Sequence, residues 1–190
     1  MEMDPRLASA LLVVVLLFSA CVAFPTTVLS PHTDNKWKIN SCTTIDKPGK
    51  YELAKNITNG GGTRISQSCI KIRTGNVIFD GNGHTIDGRG NSQTVAIDVN
   101  SSNSNGSVEI RNVTVTNWHK GIAFRHSNVG QLRNIHASSN VYGLYIENSK
   151  LVVTRDDTLE NNLIGMKIGG STLTIQLIGN KFSNNKVNKI

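Results

Sequence analysis

The sequence predicts an all-β fold in which short strands stack, coil upon coil, into a solenoid. Val, Ile and Thr are frequent, and Gly, Asn and Ser interrupt them every few residues, as short strands and tight turns require. Three stretches near the C-terminus superpose without a gap at a period of 22 residues. After Phe24 no stretch shows the 3.6-residue periodicity that helical repeats need, which excludes helical solenoids.

The composition limits the classes of protein to which the chain can belong. Its 190 residues suffice for one domain with a core, and 17% charged and 5% aromatic residues, with apolar residues throughout, argue against disorder, collagen and a dense disulfide scaffold. The net charge is +7, but the basic residues are spread out, so nucleic acid is not expected as a partner. The expected partner of a positive exported surface is an anionic polysaccharide, a wall polymer or lipid head groups.

The N-terminal segment predicts export. Residues 7–24 carry no charge, and Cys21-Val22-Ala23 fits a signal peptidase site, so residues 1–23 are predicted to be a signal peptide and residues 24–38 a linker. Two alternatives stay open. The absence of net positive charge before Leu7 favours an uncleaved membrane anchor, and residues 18–21 loosely resemble a lipobox, which would lipidate Cys21. In each case the rest of the chain is extracellular or at the cell surface, and only this segment touches a membrane.

Removal of that segment leaves two cysteines, Cys42 and Cys69, which are expected to pair outside the cell. A bridge over their separation of 27 residues would contribute roughly 3.6 kcal/mol through loop entropy. The alternative is two separate buried thiols. An exported surface also agrees with four candidate sequons for N-glycosylation, at Asn56, Asn100, Asn105 and Asn112.

The solenoid domain is predicted over residues 39–190, with roughly six coils. Residues 39–66 form the N-terminal coil or cap, residues 67–120 form irregular coils, and residues 121–186 form three regular repeats. Within the irregular part, the Ser- and Asn-rich residues 100–105 predict a protruding loop.

The regular repeats predict which side chains point inward. Pairs of apolar columns two residues apart are typical of one face of a short strand. Gly is expected at tight corners, and Asn in a ladder of amides that hydrogen-bond from coil to coil. The columns at the 22-residue phase are Gly121/Gly143/Gly165, Ile122/Leu144/Met166, Phe124/Ile146/Ile168, Ser127/Ser149/Ser171, Val129/Leu151/Leu173 and Asn140/Asn162/Asn184.

A family resemblance adds to this prediction. Residues 41–45, 48–53, 68–72 and the stretch DGNGHTIDG at residues 80–88 resemble the N-terminal part of secreted right-handed parallel β-helix repeat proteins. The likeness covers residues 39–186 and implies the pectate-lyase-like fold of archaeal cell-surface β-helix proteins, of polysaccharide lyases and hydrolases, and of NosD-like copper-associated periplasmic proteins. It also implies that Cys42 and Cys69 clip the first coil onto the second. A shared fold carries no particular function with it.

Arg155, Asp156 and Asp157 are the candidate catalytic residues, because glycoside hydrolysis needs a pair of carboxylates. Consecutive residues on a strand point to opposite faces, so the two acids must lie in a turn if they are to act on one substrate. The favoured interpretation is a solvated turn in which they pair with Arg155 or with Arg133. No catalytic residue is therefore assigned.

No metal or cofactor is expected. Asp80, Asp87 and Asp98 are weak candidates for Ca²⁺, and turn formation is the favoured role for the first two. Copper would need clustered imidazole or thioether ligands, but the histidines do not share a column at the repeat phase. The histidines are His32, His84, His119, His126 and His136.

The sequence favours a non-catalytic surface module, structural or glycan-binding, over a carbohydrate-active enzyme or a NosD-like metal protein. Its candidates for stacking on sugar rings are Trp37, Trp118, Tyr142 and Tyr145, with core or rim packing as the alternative. The last repeat lacks a polar cap, which predicts either a fragment of a longer β-helix or self-association through the last coil. Charged side chains near that edge would then disfavour unwanted strand pairing, and the candidates for this role are Lys181, Lys186 and Lys189.

Overall fold

Residues 36–102 and 104–190 are described by the computed structural model, and they form a parallel β-solenoid of about six turns with about 23 residues per turn. The all-β solenoid prediction is confirmed. The predicted signal peptide, the alternative lipidation site Cys21 and most of the predicted linker lie outside the described residues. The strands are β1 Lys36–Ile39, β2 Thr43–Ile45, β3 Gly49–Leu53, β4 Ser68–Ile72, β5 Val77–Asp80, β6 Thr85–Asp87, β7 Val95–Asn100, β8 Ser107–Thr116, β9 Lys120–Arg125, β10 Val129–Ser138, β11 Tyr142–Glu147, β12 Leu151–Arg155, β13 Thr158–Glu160, β14 Ile164–Gly169, β15 Thr174–Ile178, β16 Lys181–Ser183 and β17 Val187–Lys189.

Each coil contributes one strand to each of two long parallel sheets. Sheet A has the order β1-β3-β5-β8-β10-β12-β15, and sheet B has the order β17-β14-β11-β9-β7-β4-β2. The short strands β6, β13 and β16 pair with the second halves of β8 and β10 or with each other, and they form a third side. Because every pairing joins one coil to the next, equivalent residues lie about 4.8 Å apart along the stack.

The core confirms two of the predicted inward columns, whereas Val129 and Leu151 of the third are half-buried and the inward positions there belong to Gly130 and Val152. Ile122, Leu144 and Met166 are all at most 1% exposed, and Phe124 and Ile146 stack beside them. These columns extend upstream through β7 and β4, so one continuous apolar core runs through the stack. A strand alone could not bury such a face, which explains why the coils are stable only together.

The corners differ from those that the sequence predicted. Gly121, Gly143 and Gly165 lie within strands and have no positive φ. They are small for a different reason: a Cβ on Gly143 would lie 2.6 Å from the carbonyl oxygen of Gly165 and 3.1 Å from the Asn162 amide nitrogen. The left-handed corners are occupied mainly by Asn and Asp, which tolerate this conformation better than most residues. One such column is Asn112, Asn134, Asp156 and Gly179, with φ values of 53°, 54°, 55° and 65°.

The period lengthens by one residue in the last coil. Four residues separate β14 from β15, whereas three separate β11 from β12, so Leu151 pairs with Thr174 and Thr158 with Lys181. The predicted alignments of Ser171, Leu173 and Asn184 with the earlier repeats are therefore wrong. Thr172, Thr174 and Asn185 take their places.

The predicted amide ladder is present with its last member corrected. Asn140 Oδ1 accepts the Trp118 N–H at 2.9 Å, and Asn162 Oδ1 accepts the Asn140 N–H at 3.0 Å. Asn185 Oδ1 then accepts the Asn162 N–H at 2.9 Å, and the Asn162 amide nitrogen donates to the Ala137 carbonyl at 2.9 Å. Each buried amide thus satisfies backbone groups of neighbouring coils, which stabilises their spacing.

The N-terminal end is held by a strand and a disulfide. β1 begins at Lys36, inside the range 24–38 assigned to a linker, because Trp37 packs edge-on against Tyr51 at 4.7 Å and Lys38 pairs with Glu52. Cys42 and Cys69 form a disulfide with an S–S distance of 2.02 Å. They adjoin β2 and β4, which pair, so the predicted bridge between the first and second coils is confirmed.

Two regions outside the regular core complete the fold. The predicted loop follows β7 and ends before β8, and its Ser104 hydroxyl accepts the Gly75 N–H at 2.8 Å.

In the last coil Leu173, Leu177 and Val187 are exposed. None of the helical segments among the described residues has the length and hydropathy needed to cross a membrane.

Candidate functional site

The outer face of sheet B gathers aromatic and basic side chains. Strand alternation turns Leu144 and Ile146 inward, so Tyr145 between them points outward, beside Tyr142. The register places Tyr142 opposite Lys120 on one neighbouring strand and Tyr145 opposite Lys167 on the other. We call His119, Lys120, Tyr142, Tyr145 and Lys167 the aromatic patch.

The rings and ammonium groups of the aromatic patch contact one another. The His119 and Tyr142 rings stack with centroids 5.6 Å apart, and Tyr142 meets Tyr145 edge-on at 5.5 Å. Lys120 Nζ lies 3.8 Å from the Tyr145 centroid, and Lys167 Nζ lies 5.8 and 5.9 Å from the Tyr142 and Tyr145 centroids. These cation–π contacts hold the rings in place on an otherwise open face.

Burial sets the electrostatics of the aromatic patch. Desolvation lowers the pKa of the Lys120 ammonium, and the Arg125 charge lowers it further, while Glu147 and Asp98 oppose them. Desolvation also lowers the pKa of His119, with a smaller effect from Lys120, so the imidazole is neutral at pH 7. The pKa of Tyr145 is raised by burial and by Glu147. The His119 and Tyr145 rings therefore remain uncharged near neutral pH.

A buried carboxylate anchors the basic edge of the face. Asp98 is fully buried, and it accepts hydrogen bonds from Arg73 at 2.6 Å and from Arg125 at 2.6 and 3.0 Å. Two guanidinium groups share one carboxylate, so the cluster keeps one positive charge. Arg125, Lys120 and His119 also line a groove of about 270 Å³ beside the aromatic patch.

The two tryptophans lie elsewhere. Trp118 is 2% exposed, and its indole N–H donates to the Ile86 carbonyl at 3.0 Å, so it is a core residue rather than a sugar-stacking one. Trp37 is 42% exposed but lies at the first strand of sheet A, against Tyr51 and Gly49. Of the four aromatic candidates, only Tyr142 and Tyr145 share a face.

The candidate catalytic carboxylates diverge. Asp156 and Asp157 lie in a turn between β12 and β13, as a joint role would require, but Asp156 is exposed and Asp157 is 1% exposed. Asp157 Oδ1 accepts the Ile135 N–H at 2.9 Å, and burial raises the pKa of its carboxyl to about 7. The expected ion pairs with Arg155 or Arg133 do not form among the described residues. The local reason is that Asp157 points between coils.

The three acidic candidates for Ca²⁺ are not brought together. Asp80 accepts the Asn82 N–H at 2.9 Å, as a turn-forming Asp does, and it also binds Arg111 and Asn112. Asp87 accepts from the Asn117 amide at 2.7 Å, on the third side of the coil. Asp98, on sheet B, is occupied by its two arginines.

The histidines of the described residues are dispersed. His84 contacts Asn56, His126 contacts Asn148 at 3.4 Å, and His136 contacts Glu160 at 2.8 Å. Among residues 36–102 and 104–190, no three His, Cys, Asp or Glu side chains converge as a metal site would require.

The four sequon asparagines differ in exposure. Asn56 and Asn105 are exposed, and Asn100 is half-buried. Asn112 is half-buried, and its amide nitrogen donates to Asp80 at 3.1 Å while its oxygen accepts from Asn134 at 3.0 Å. Asn56 and Asn105 therefore offer the more accessible positions, and glycosylation itself stays a prediction.

Sequence reasoning did not identify the aromatic patch as a unit. Its signal in the sequence is an outward column at the same period, which pairs Tyr145 with Lys167. In the Arg73–Asp98–Arg125 cluster, Arg73 and Asp98 lie in coils of irregular length, so the spacing between repeats gave no signal that they meet Arg125.

Comparisons with protein-family models, with curated proteins and with solved structures found no match to this chain.

Proposed function

We propose that the protein is an exported, non-catalytic parallel β-helix protein that binds a glycan on the outer face of sheet B. The observation that carries this proposal is the contact of Tyr142 and Tyr145 with each other and with Lys120 and Lys167. Aromatic rings offer an apolar surface to the C–H groups of a sugar ring. Neighbouring ammonium and guanidinium groups bind carboxylates through charge-assisted hydrogen bonds, so an acidic sugar is the expected unit.

The extracellular setting supports this role. The Cys42–Cys69 disulfide is typical of proteins from oxidising compartments, and the apolar residues 7–24 suit an export signal or anchor. We also propose that the chain is related to the pectate-lyase-like or NosD-like β-helix proteins. The stacked parallel coils and the sequence resemblance support this relationship. Self-association through the last coil, where Leu173 and Val187 are exposed, is a further part of the proposal.

A binding role is favoured over catalysis by the state of the carboxylates. Asp157 is enclosed between coils, so it cannot reach a glycosidic bond on the surface. On sheet B, the two carboxylate oxygens of Asp98 accept hydrogen bonds from Arg73 and Arg125, so neither oxygen is free to transfer a proton to a substrate. No observation favours a second function.

A glycan array with the oxidised full-length protein tests the proposal. Acidic glycans should bind, and Tyr145→Ala should weaken binding about tenfold or more, since a central aromatic contact contributes at least that factor. Trp37→Ala is the matched control, because it removes an exposed aromatic ring from the other sheet, and it should leave binding unchanged.

Mass spectrometry of the bound glycan after prolonged incubation supplies the second readout. The glycan should be recovered intact. Release of unsaturated or reducing ends by the wild-type protein would contradict a non-catalytic role. Binding that is equal in wild type and in the double variant Tyr142→Ala/Tyr145→Ala would contradict the aromatic patch as the site.

A further inference from the structure

A row of charged side chains crosses the outer face of sheet A, one residue from each of the first six strands in its order. The register aligns them directly, so neighbours in the row are separated only by the spacing between strands, about 4.8 Å. In order along the stack they are Lys38, Glu52, Asp80, Arg111, Arg133 and Arg155.

The first part of this row is neutralised internally. Lys38 pairs with Glu52, and Arg111 donates to Asp80 at 2.9 Å and to Glu109 at 3.3 Å. Arg133 and Arg155 differ, because both side chains are exposed and neither guanidinium group has a hydrogen bond or an acidic partner within residues 36–102 and 104–190. Two adjacent positive charges are therefore left uncompensated.

Folding does not explain this pair of arginines. Like charges directly opposite each other on neighbouring strands destabilise a sheet. The two side chains nevertheless border one groove of about 260 Å³, whose other walls include Gln131, Val153 and Glu109. Glu109 is engaged by Arg111, and Gln131 adds an exposed amide donor. The groove thus presents two guanidinium forks and a neutral donor.

We propose that Arg133 and Arg155 form a binding site for a phosphate group in its dianionic form. A dianion neutralises both guanidinium groups at once, whereas a carboxylate neutralises only one. The planar guanidinium also matches the oxygens of a phosphate group in a bidentate manner. The site lies on sheet A and shares no residue with the aromatic patch. It therefore goes beyond the proposed glycan-binding role, and it can be tested independently of that role.

Titration calorimetry at constant, low ionic strength tests the site, with orthophosphate, sulfate and acetate as probes. Orthophosphate and sulfate should bind at least about tenfold more tightly than acetate, because their second charge engages the second arginine. Arg133→Gln and Arg155→Gln should each lower the affinity for both dianions about tenfold or more. The control Arg89→Gln, which removes an exposed arginine outside sheet A, should not change it.

The pH dependence distinguishes a dianion site from general attraction. Orthophosphate binding should weaken below about pH 6 to 7 as the dianion takes up a proton, whereas sulfate binding should not. Glucose 6-phosphate and glucose separate the two sources of the group. Tighter binding of the ester than of orthophosphate would identify a phosphorylated sugar, and tighter binding of orthophosphate would identify the free ion.

Thermal unfolding without added anion tests whether the arginines serve the fold. Arg133→Gln and Arg155→Gln should leave Tm unchanged or raise it, because each removes repulsion between adjacent charges. A lower Tm in both variants would overturn the proposal. Equal orthophosphate affinity in wild type and in both variants would overturn it as well.

Discussion

The backbone N–H of Ile135 donates to the buried Asp157 Oδ1 at 2.9 Å, and one coil further on the N–H of Asp157 donates to Asn180 Oδ1 at 2.9 Å. Asp157 therefore occupies the position of an amide in a short ladder. The Asn180 amide nitrogen also donates to the Thr154 carbonyl at 3.1 Å. Asp157 Oδ2 is buried and finds no hydrogen-bond donor in the part of the chain that the structure describes.

This relationship predicts that Asp157 contributes more to the stability of the fold at acidic than at neutral pH. Desolvation raises the pKa of the Asp157 carboxyl from 3.8 to about 7, the charge of Asp156 adds to the rise, and the Ile135 hydrogen bond opposes it. Because the folded chain binds this proton more tightly than the unfolded chain, the stabilisation is complete below about pH 4 and is lost as the pH rises to about 7. The loss is up to about 4 kcal/mol.

Asp157→Asn should remove this dependence. The amide supplies the missing donor without a charge, so the free energy of unfolding at pH 8 should rise by about 1 to 3 kcal/mol. Urea unfolding at pH 5, 6.5 and 8 measures it. Asp156→Asn is the comparison variant, because Asp156 is exposed at a left-handed corner that Asn also accepts, and it should lose only the smaller part of the pKa rise that the Asp156 charge supplies. Parallel pH profiles for wild type and Asp157→Asn would refute the assignment.

The amide ladder formed by Asn140, Asn162 and Asn185 predicts a large effect of a small substitution. Asn162→Ala removes the acceptor of the Asn140 N–H and the donor to the Ala137 carbonyl, leaving buried backbone groups unpaired. We expect a loss of about 2 to 4 kcal/mol in the free energy of unfolding. Asn161→Gly is the matched neighbour, because Asn161 is exposed and Gly accepts its positive φ. Similar urea midpoints for the two variants would speak against the ladder.

The glycines within sheet B predict a sharp contrast between neighbouring strands. Gly143→Ala would place a Cβ 2.6 Å from the Gly165 carbonyl oxygen and close to the Asn162 amide, whereas a Cβ on Gly169 would meet nothing within 4 Å. Gly143→Ala should therefore lower the free energy of unfolding by about 1 to 3 kcal/mol or more, while Gly169→Ala should be close to neutral. Thermal unfolding of the two variants compares them directly, and equal Tm values would contradict the steric role.

The inward columns made the fold predictable from sequence, because apolar residues such as Leu144 and Ile146 repeat wherever a core must be continuous. The extra residue in the last coil was not predictable, since it falls in a polar turn around Gly170 where no core position constrains the length. Because of this extra residue, the 22-residue period also failed to predict the amide ladder that contains Asp157. At a period of 22, Asn180 aligns with Thr158, and only the observed register places it beside Asp157.

The candidate site was less predictable than the core. Outward positions such as Tyr145 and Lys120 are not constrained by packing, so their types vary from coil to coil, and only a known register shows which of them are neighbours. For Asp157 the sequence predicted an exposed side chain, whereas the structure buries it. A sequence of Arg, Asp and Asp is typical of a charged surface turn, and the burial of one member depends on the left-handed φ of Asp156, which turns the next side chain inward.

The disulfide predicts that the oxidised wild-type protein is more stable than a variant without the two cysteines, and that this difference disappears on reduction. It closes 27 residues, so replacing both Cys42 and Cys69 by Ala should lower the free energy of unfolding by roughly 3.6 kcal/mol in the loop-entropy model. Cys69 is 1% exposed, and Ala keeps the site apolar. Urea unfolding with and without a reductant measures the effect. The wild-type protein should lose stability on reduction to nearly the level of the double variant, and the double variant should not respond. A double variant as stable as the oxidised wild type would show that β-strand pairing alone holds the first two coils together.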